Sequence, residues 1–335
     1  MKTKAPTLSV KGSALRENIT RYFSVFVIVI LVVALTLTQQ NFLGTMNLRN
    51  LLRDTAPLMI MSAGMTMVLL FGSIDLSMGA VCSVANVTYV HLLLYFQNTG
   101  MNVVMTNLIA MVLSLAFGLA SGLALGFIHV KLKVPSFIAS LGFMSLWQSV
   151  ALLITQNPES VPKALWGAVD WYKIVFGVLG IPLVIALIII ILIHCVTRYT
   201  PSGRAIYAIG GNERTARVAG MGVDNTKILV FAINGVLAAL AGIFLAANLR
   251  SSSPTIGDPF TLKIVAACAL GGTSLAGGKG SELGTILGVF TVSLIENGMN
   301  FIGVSAYYQN IVFGIFVLAA IALTVDRSIR GQIIK

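Results

Sequence analysis

The chain has 335 residues, 57% of them hydrophobic and 10% charged, and its mean hydropathy is +0.92. So little polar surface cannot cover an exterior that faces water, which excludes a soluble globular protein and indicates an integral membrane protein. The formal net charge of +11 has no interleaving of basic and aromatic residues to favour nucleic-acid binding.

Apolar runs of roughly 17 to 25 residues predict about ten transmembrane helices and therefore an all-α membrane fold. The first run is too long for a signal-peptide core and follows a basic stretch, so we expect a retained helix. The predicted spans lie near residues 22–38, 56–71, 76–96, 107–129, 136–155, 174–196, 227–247, 260–276, 283–301 and 307–325.

Basic residues predict how these helices are oriented. With ten crossings, sixteen of the 22 Lys and Arg residues fall on the side that carries both termini, and six fall on the other side. Because cytoplasmic loops are enriched in Lys and Arg, we expect both termini in the cytoplasm. The predicted organisation is an N-terminal tail at 1–21, one transmembrane domain at 22–326 with a cytoplasmic segment at 198–227, and a C-terminal tail at 327–335.

Two glycine-containing interruptions break the apolar pattern. The run from Leu58 to Phe71 has fourteen residues, about 21 Å of helix, against a hydrocarbon layer about 30 Å thick, and GSIDLS at 72–77 follows it. The run at 260–270 is shorter still, and a glycine-rich turn at 271–280 follows. Irregular backbone at membrane depth is tolerated where it is buried in protein or lines a cavity, and transporters use broken helices in this way.

The first interruption contains a carboxylate, Asp75, for which the sequence allows two roles. As a helix cap it would accept hydrogen bonds from the amides that open the next helix. As a ligand for sugar hydroxyls or a proton carrier it would serve transport, since ionisable groups within a membrane are costly. We take Asp75 with Ser77, and Thr273 with Ser274 in the second interruption, as the candidate substrate pathway.

The long polar segment at 198–227 has the signals of a short helix on the cytoplasmic face. Asn212 is a good N-cap, Glu213 suits a first turn, and Gly220 is a natural C-terminal stop. Arg214 and Arg217 would share one side of this helix, and Ala216 and Gly220 another side, small enough for close approach. The alternative is an ordinary basic loop.

Other patterns point to packing rather than chemistry. Gly118, Gly122 and Gly126 repeat every fourth residue, which favours close helix packing. The stretch at 270–281 fails the pattern of a phosphate-binding loop, and Cys82, Cys195 and Cys268 are too widely spaced for a disulfide framework or a metal cluster. We therefore expect no cofactor, no metal and no enzymatic chemistry on this chain. Trp166 and Trp171 in the outer segment at 156–173 belong either to an interfacial belt or to a docking surface.

Four stretches resemble the permease subunit of ABC-type sugar importers, the group that includes ribose, xylose, arabinose and galactose permeases. They are GSIDLS, GRAIYAIGGNERTARVAG at 203–220, AACALGGTSLAGGKGS at 266–281 and ENGMNFIGVSAYYQ at 296–309. The resemblance spans about residues 47 to 326. It implies a pore of two permease copies or paralogues in the bacterial inner membrane, two cytoplasmic ATPase subunits that hydrolyse ATP, and a periplasmic sugar-binding protein.

The resemblance also implies where the ATPase would couple. The family's coupling segment falls at 203–220, with candidate contacts at Arg204, Gly211, Asn212, Arg214, Ala216, Arg217 and Gly220. The chain lacks the glutamate of the Glu-Ala-Ala pattern common there, so position supports this assignment more than motif does. The alternative function is a secondary transporter with Asp75 as ion or proton carrier. It would need no ATPase.

Overall fold

A computed structural model describes residues 25–38 and 41–324, without the side chains of Ala306 and several residues from Phe316 onward. Helices dominate the described part. The helices are α1 (Val25–Thr38), α2 (Thr45–Leu70), α3 (Met78–Gln97), α4 (Val103–Lys131), α5 (Ser136–Ile154), α6 (Trp166–Val169), α7 (Ile181–Tyr199), α8 (Pro201–Gly211), α9 (Glu213–Val218), α10 (Val223–Leu249), α11 (Phe260–Leu270), α12 (Glu282–Phe301) and α13 (Ala306–Thr324).

Short strands and turns connect the helices at the end opposite to α8 and α9. Strand β1 (Glu159–Ser160) pairs antiparallel with β4 (Ser251–Ser252), and β2 (Val175–Phe176) pairs antiparallel with β3 (Leu179–Gly180). Two 3-10 turns, Lys163–Leu165 and Asp170–Lys173, flank α6. Trp166 and Trp171 pack against other residues of the chain at this end of the bundle. The Arg250 guanidinium lies 3.7 Å from the centre of the Trp166 ring, and Trp171 contacts Phe244.

The all-α membrane fold expected from the sequence is confirmed. Each predicted span overlaps one helix, and in the described part of the chain five helices are long and apolar enough to cross a membrane by length and composition: α3, α4, α5, α7 and α10. The number of crossings and the direction of the termini remain predictions. The predicted tails at 1–21 and 327–335 lie outside the described residues.

Helix α10 occupies the centre of the bundle and packs against α2, α3 and α4. Its contact with α4 uses the predicted glycine repeat. A Cβ on Gly122 would lie 2.9 Å from the Cα of Ala232, and one on Gly126 would lie 3.0 Å from the Cα of Ile228. Only glycine allows the two backbones to come this close, so the predicted packing role of the repeat is confirmed.

Helices α2 and α11 differ in length although each ends at an interruption. Helix α2 begins at Thr45, well before the apolar run, and its 26 residues extend about 39 Å, enough to cross a bilayer. Helix α11 has 11 residues, about 16 Å, and cannot cross alone. The prediction that a helix too short to cross the membrane precedes each interruption is therefore right for α11. It is wrong for α2, which is long enough to cross.

A non-helical segment from Arg250 to Pro259 supplies the missing length before α11. The backbone N–H of Ser253 donates to Asn86 Oδ1 and that of Gly257 donates to Ser83 Oγ, each at 2.9 Å. Ser83 is five residues, about 8 Å, from the start of α3. The segment therefore runs down the inside of the bundle beside α3, and the polar side chains of α3 satisfy its amides.

Candidate transport and coupling site

The two interruptions share one backbone geometry. Gly72 has φ +82° and Gly272 has φ +83°. At the first, Ser73 N donates to Val68 O at 3.1 Å, and at the second, Thr273 N donates to Cys268 O at 3.0 Å. A glycine in the left-handed conformation, followed by a residue whose N–H bonds to the carbonyl five residues earlier, is the Schellman motif that ends helices. A side chain at either glycine would therefore strain the backbone.

The two interruptions also touch one another. Gly278 N donates to the carbonyl oxygen of Leu70 at 2.8 Å, satisfying a group that the end of α2 leaves without a helical partner. A Cβ on Gly277 would lie 2.8 Å from both the Cα and the N of Gly72. The loop at 271–281 therefore closes over the end of α2 by contact between backbones.

Helix α8 joins this contact from the polar segment at 198–227. A Cβ on Gly210 would overlap the carbonyl oxygen of Leu70 and lie 2.5 Å from Gly278 N. Tyr207 Oη donates to the carbonyl oxygen of Gly280 at 2.9 Å. We call the meeting of Leu70–Gly72, Gly277–Gly280 and Tyr207–Gly210 the glycine junction. Through it, α8 directly contacts the last residue of α2, just before the first interruption, and the second interruption itself.

Asp75 is buried and accepts hydrogen bonds at both carboxylate oxygens. Ser77 donates its N–H at 2.8 Å and its Oγ at 2.6 Å to Oδ1, while Asn234 Nδ2 donates to Oδ2 at 2.8 Å. The bond to the amide of Ser77 resembles a cap, but the residue at the N-cap position of α3 is Ser77 itself. In this arrangement Asp75 ties α3 to α10.

Of the other predicted pathway residues, Ser77 and Ser274 are hydrogen-bonded within the chain, whereas the Thr273 hydroxyl is buried without a hydrogen-bond partner among the described residues. Ser77 and Thr273 are buried, and Ser274 is half-buried with its Oγ accepting from Ala276 N at 3.2 Å. Among the described residues, no hydrogen bond links Asp75 or Ser77 to Thr273 or Ser274. The structure brings the two interruptions together through their glycines rather than through these four side chains.

Helix α9 has the predicted form. Asn212 Oδ1 accepts from Thr215 N at 2.9 Å, and Gly220 follows the helix with φ +78°. Ala216 is buried against the chain itself, and a Cβ on Gly220 would meet nothing within 4 Å. The expectation that Gly220 serves close approach is therefore not supported within this chain, where its backbone angle accounts for the glycine.

Ion pairs hold α9 against the start of α10. Arg217 contacts Glu213 at 3.2 Å and Asp224 at 2.9 Å, Lys227 contacts Glu213 at 2.7 Å, and Lys131 contacts Asp224 at 3.4 Å. Partial burial disfavours the charged form of Glu213, but hydrogen bonds and charges from Lys227 and Arg217 outweigh it and lower its pKa. The hydrogen bond from Arg217 lowers the pKa of Asp224, and both acids raise the pKa of Arg217.

Several candidate coupling residues remain exposed on the same face. Arg204, Gly211, Asn212 and Arg214 are exposed, and Val218 is 84% exposed although it is apolar. Arg204 lines an open groove of about 410 Å³ with Pro201, Ser202, Ala205, Met221, Gly222 and Thr226. This face of α8 and α9 thus combines basic, apolar and concave features, whereas Arg217 is already paired with acids of its own chain.

Sequence reasoning missed several polar contacts in the bundle. Asn234 and Asn86 stand inside apolar runs, and each bridges two segments, Asn86 through a donor bond of 3.1 Å to Gly242 O. An amide at such a position is itself a signal, because side-chain hydrogen bonds join helices in membranes. The pair of Gln148 and Asp258, 3.1 Å apart, was also missed, although Pro254, Gly257 and Pro259 mark the non-helical segment in the sequence.

Comparison with protein families gives one matching family model. Residues 47–321 match the model described as branched-chain amino acid transport system / permease component. Among curated relatives, the ribose import permease protein RbsC of Bacillus subtilis is 35% identical, with 89% of this chain and 91% of the relative covered. RbsC of Escherichia coli K12 is 36% identical with the same coverage, and the xylose transport system permease protein XylH of that strain is 31% identical, covering 89% and 90%.

A solved structure supports the fold. An inward-facing conformation of a metal-chelate-type ABC transporter superposes with a TM-score of 0.50 at 13% identity, covering 91% of this chain and 97% of the other. At this identity the likeness concerns the fold alone. The family match and the relatives cover nearly the whole chain, and such subunits work with a separate ATPase and a substrate-binding protein. The chain therefore belongs to the family of multi-pass permease subunits of bacterial ABC transporters and is not itself an enzyme.

Proposed function

We propose that this permease forms the membrane pathway of an ATP-driven importer for a neutral monosaccharide, a pentose or a hexose. The observation that carries the proposal is the similarity, over about nine-tenths of each chain, to permeases named for ribose and xylose. The polar residues inside the bundle agree with an uncharged, hydroxyl-rich substrate, because hydroxyl and amide groups such as Asn86, Asn234 and Thr66 predominate there.

Coupling to the ATPase would use α8 and α9. The exposed Arg204, Arg214 and Val218, next to the open groove, offer a surface for another subunit, since buried interfaces favour arginine and apolar side chains. Movement of α8 would reach both interruptions through the glycine junction. In this arrangement the candidate contacts Gly211, Asn212, Ala216, Arg217 and Gly220 shape the surface, and Arg217 holds α9 in place.

The assembly we propose contains two permease copies or paralogues, two ATPase subunits and a periplasmic sugar-binding protein, in the bacterial inner membrane. Both permease termini would lie in the cytoplasm, as the distribution of basic residues predicts. We propose that the candidate pathway residues Asp75, Ser77, Thr273 and Ser274 shape the substrate route without contacting the sugar themselves, since the first three are buried.

Uptake by a defined strain tests the substrate class. The permease is expressed with its ATPase and its sugar-binding protein, in a bacterium without its own ribose, xylose and galactose importers. We expect ATP-dependent uptake of radiolabelled D-ribose, D-xylose or D-galactose that is not reduced by excess leucine. Because the matched family model is described for branched-chain amino acids, leucine uptake without sugar uptake would overturn the proposal.

A further inference from the structure

One carboxylate inside the bundle is left partly free. Gln148 Nε2 donates to Asp258 Oδ1 at 3.1 Å, and among the described residues no other side chain or backbone amide donates to this carboxylate. Asp258 is half-buried, so part of the carboxylate remains accessible. Asp75, by contrast, is 3% exposed and receives three hydrogen bonds.

This pair lies well inside the membrane-spanning bundle. Gln148 is twelve residues, about 18 Å, from the first residue of α5 and six residues, about 9 Å, from the last. The neighbouring Gly257 is bonded to Ser83 in the second turn of α3. A charged group at this depth is too costly to face lipid, and such groups face the bundle interior or a water-filled cavity.

The surface of α5 beside the pair is also polar. Ser145 and Ser149 are exposed on the same side as Gln148, and Gly142, one turn below, has open space where a Cβ would stand. Ser145 Oγ donates to Leu141 O at 3.3 Å and Ser149 Oγ donates to Ser145 O at 2.9 Å. Both hydroxyls therefore keep lone pairs available to a donor.

We propose that Asp258 and Gln148 form the position at which the hydroxyl groups of the transported sugar are hydrogen-bonded during passage, with Ser145 and Ser149 beside them. The inference rests on the proposed sugar import and names its contact residues. The free carboxylate oxygen accepts hydrogen bonds from sugar hydroxyl groups, and the Gln148 amide offers a donor and an acceptor. Neither group needs a charge on the substrate, which suits a neutral sugar.

Transport by substituted permeases in the assembled complex tests this inference. Asp258→Ala, Asp258→Asn and Gln148→Ala are compared with the control Asp54→Asn. Asp54 also accepts a hydrogen bond of 3.1 Å from a side-chain amide, that of Asn248, but it stands at the end of the bundle opposite to α8 and α9. The measurements are the initial uptake of D-ribose and of D-xylose below saturation, normalised to assembled complex, and the ATP hydrolysis of that complex.

We expect Asp258→Ala to lower uptake at least about tenfold, because a hydrogen bond to a charged group is among the strong ones. Asp258→Asn and Gln148→Ala should lower it several-fold, with assembly and ATP hydrolysis retained, and Asp54→Asn should leave uptake unchanged. A second readout is the rate at which a cysteine at position 149 is alkylated in the Ser149→Cys permease. D-ribose with its binding protein should slow this alkylation in the single variant. It should not slow it in the double variant that also carries Asp258→Asn.

Two different results would overturn the inference. Unchanged uptake by Asp258→Ala and Asp258→Asn, or an equal fall with Asp54→Asn, would show that the pair has no contact with the sugar while leaving sugar import intact. Absence of uptake of both pentoses and of the hexose D-galactose by the unsubstituted complex would instead overturn the proposed function, and this inference with it.

Discussion

Gly278 donates its backbone N–H to the carbonyl oxygen of Leu70 across 2.8 Å, and this bond joins the loop before α12 to the end of α2. Gly210 of α8 packs against both of these groups. Three segments that are far apart in sequence thus meet mainly through backbone, with one side-chain hydrogen bond from Tyr207 to the carbonyl oxygen of Gly280. A contact made by backbones leaves no flexible side chain to absorb a displacement, so a movement of α8 has to be passed on to the two interruptions or break the junction.

Two glycines with similar backbone angles separate the effect of strain from the effect of contact. Gly277 has φ +90° and Gly272 has φ +83°, but a Cβ on Gly277 would lie 2.8 Å from Gly72, whereas one on Gly272 would meet nothing within 4 Å. Asparagine tolerates the left-handed conformation. Gly277→Asn should therefore destabilise the purified permease by about 1–3 kcal/mol more than Gly272→Asn. Equal thermal unfolding of the two variants would contradict the contact.

Asp75 should be necessary for stability through its hydrogen bonds rather than its charge. Asp75→Ala leaves the buried amides of Ser77 and Asn234 without their acceptor and should cost about 2 kcal/mol or more. Asp75→Asn should cost less than about 1 kcal/mol, because Asn234 Oδ1 is buried without a partner among the described residues and can accept from the new amide after a flip. Thermal unfolding in detergent is the measurement.

Transport by the same variants distinguishes the remaining role of Asp75. If Asp75→Asn is as stable as the unsubstituted permease yet loses uptake, the carboxylate also serves the substrate or the gate. If Asp75→Asn is as unstable as Asp75→Ala, the ionised form itself is needed, and the hydrogen-bond account is wrong.

The docking of α9 should weaken in acid. The pKa values of Glu213 and Asp224 lie below their ordinary values of 4.5 and 3.8, so their stabilising effect is complete above those values and is lost as the pH falls through the lower folded ones. Hydrogen exchange of residues 213–218, corrected for its intrinsic rate, should stay constant from pH 7 to about pH 5 and lose protection below about pH 4.

A matched substitution checks which acids are responsible. Glu213→Gln removes one partner from both Arg217 and Lys227, so protection of α9 should already be lower at pH 7, and the remaining acid loss should follow Asp224. Protection that does not change with pH in either form would exclude these ion pairs as the cause of docking.

Single cysteines test the predicted orientation. Ser160 and Thr215 are exposed at opposite ends of the bundle, whereas Ser252 is fully buried and unsuitable. In a background with Cys195 replaced, since Cys195 is exposed while Cys82 and Cys268 are buried, Ser160→Cys should react with an impermeant maleimide on intact spheroplasts. Thr215→Cys should react after lysis. Labelling of Thr215→Cys before lysis would contradict the predicted topology.

The sequence predicted the fold well where hydrophobic length decides structure. Apolar runs located the long helices, and Asn212 with Gly220 located α9, because caps act locally. The start of α2 escaped prediction, since Arg49, Arg53 and Asp54 lie outside any apolar window although they continue the helix. Helix α8 was not separated from its loop, although Thr200 and Pro201 form an N-cap and first turn.

The candidate site was predicted less completely, and the reason is physical. Gly72 and Gly272 are recognisable in the sequence as interruptions, but the contact of Gly210 with Leu70 and Gly278 depends on how the helices pack, which the local sequence pattern does not determine. The sequence predicts Asp75 as a candidate site residue because it is a charged group within the membrane. It does not predict that Asn234, 159 residues away in sequence, donates a hydrogen bond to the carboxylate. Asp258 was not predicted as a site residue, because it lies between two predicted spans and its segment has the pattern of an ordinary loop outside the membrane.

The most direct test of the account is the amount of sugar imported per ATP hydrolysed by Gly210→Ala in proteoliposomes that contain the complete complex. The added Cβ must push α8 away from Leu70 and Gly278. Gly314→Ala in α13, whose Cβ would meet nothing within 4 Å, is the control away from α8 and α9. We predict that Gly210→Ala assembles and hydrolyses ATP but imports several-fold less sugar per ATP, while Gly314→Ala matches the unsubstituted complex. An unchanged ratio in Gly210→Ala would contradict coupling through the glycine junction.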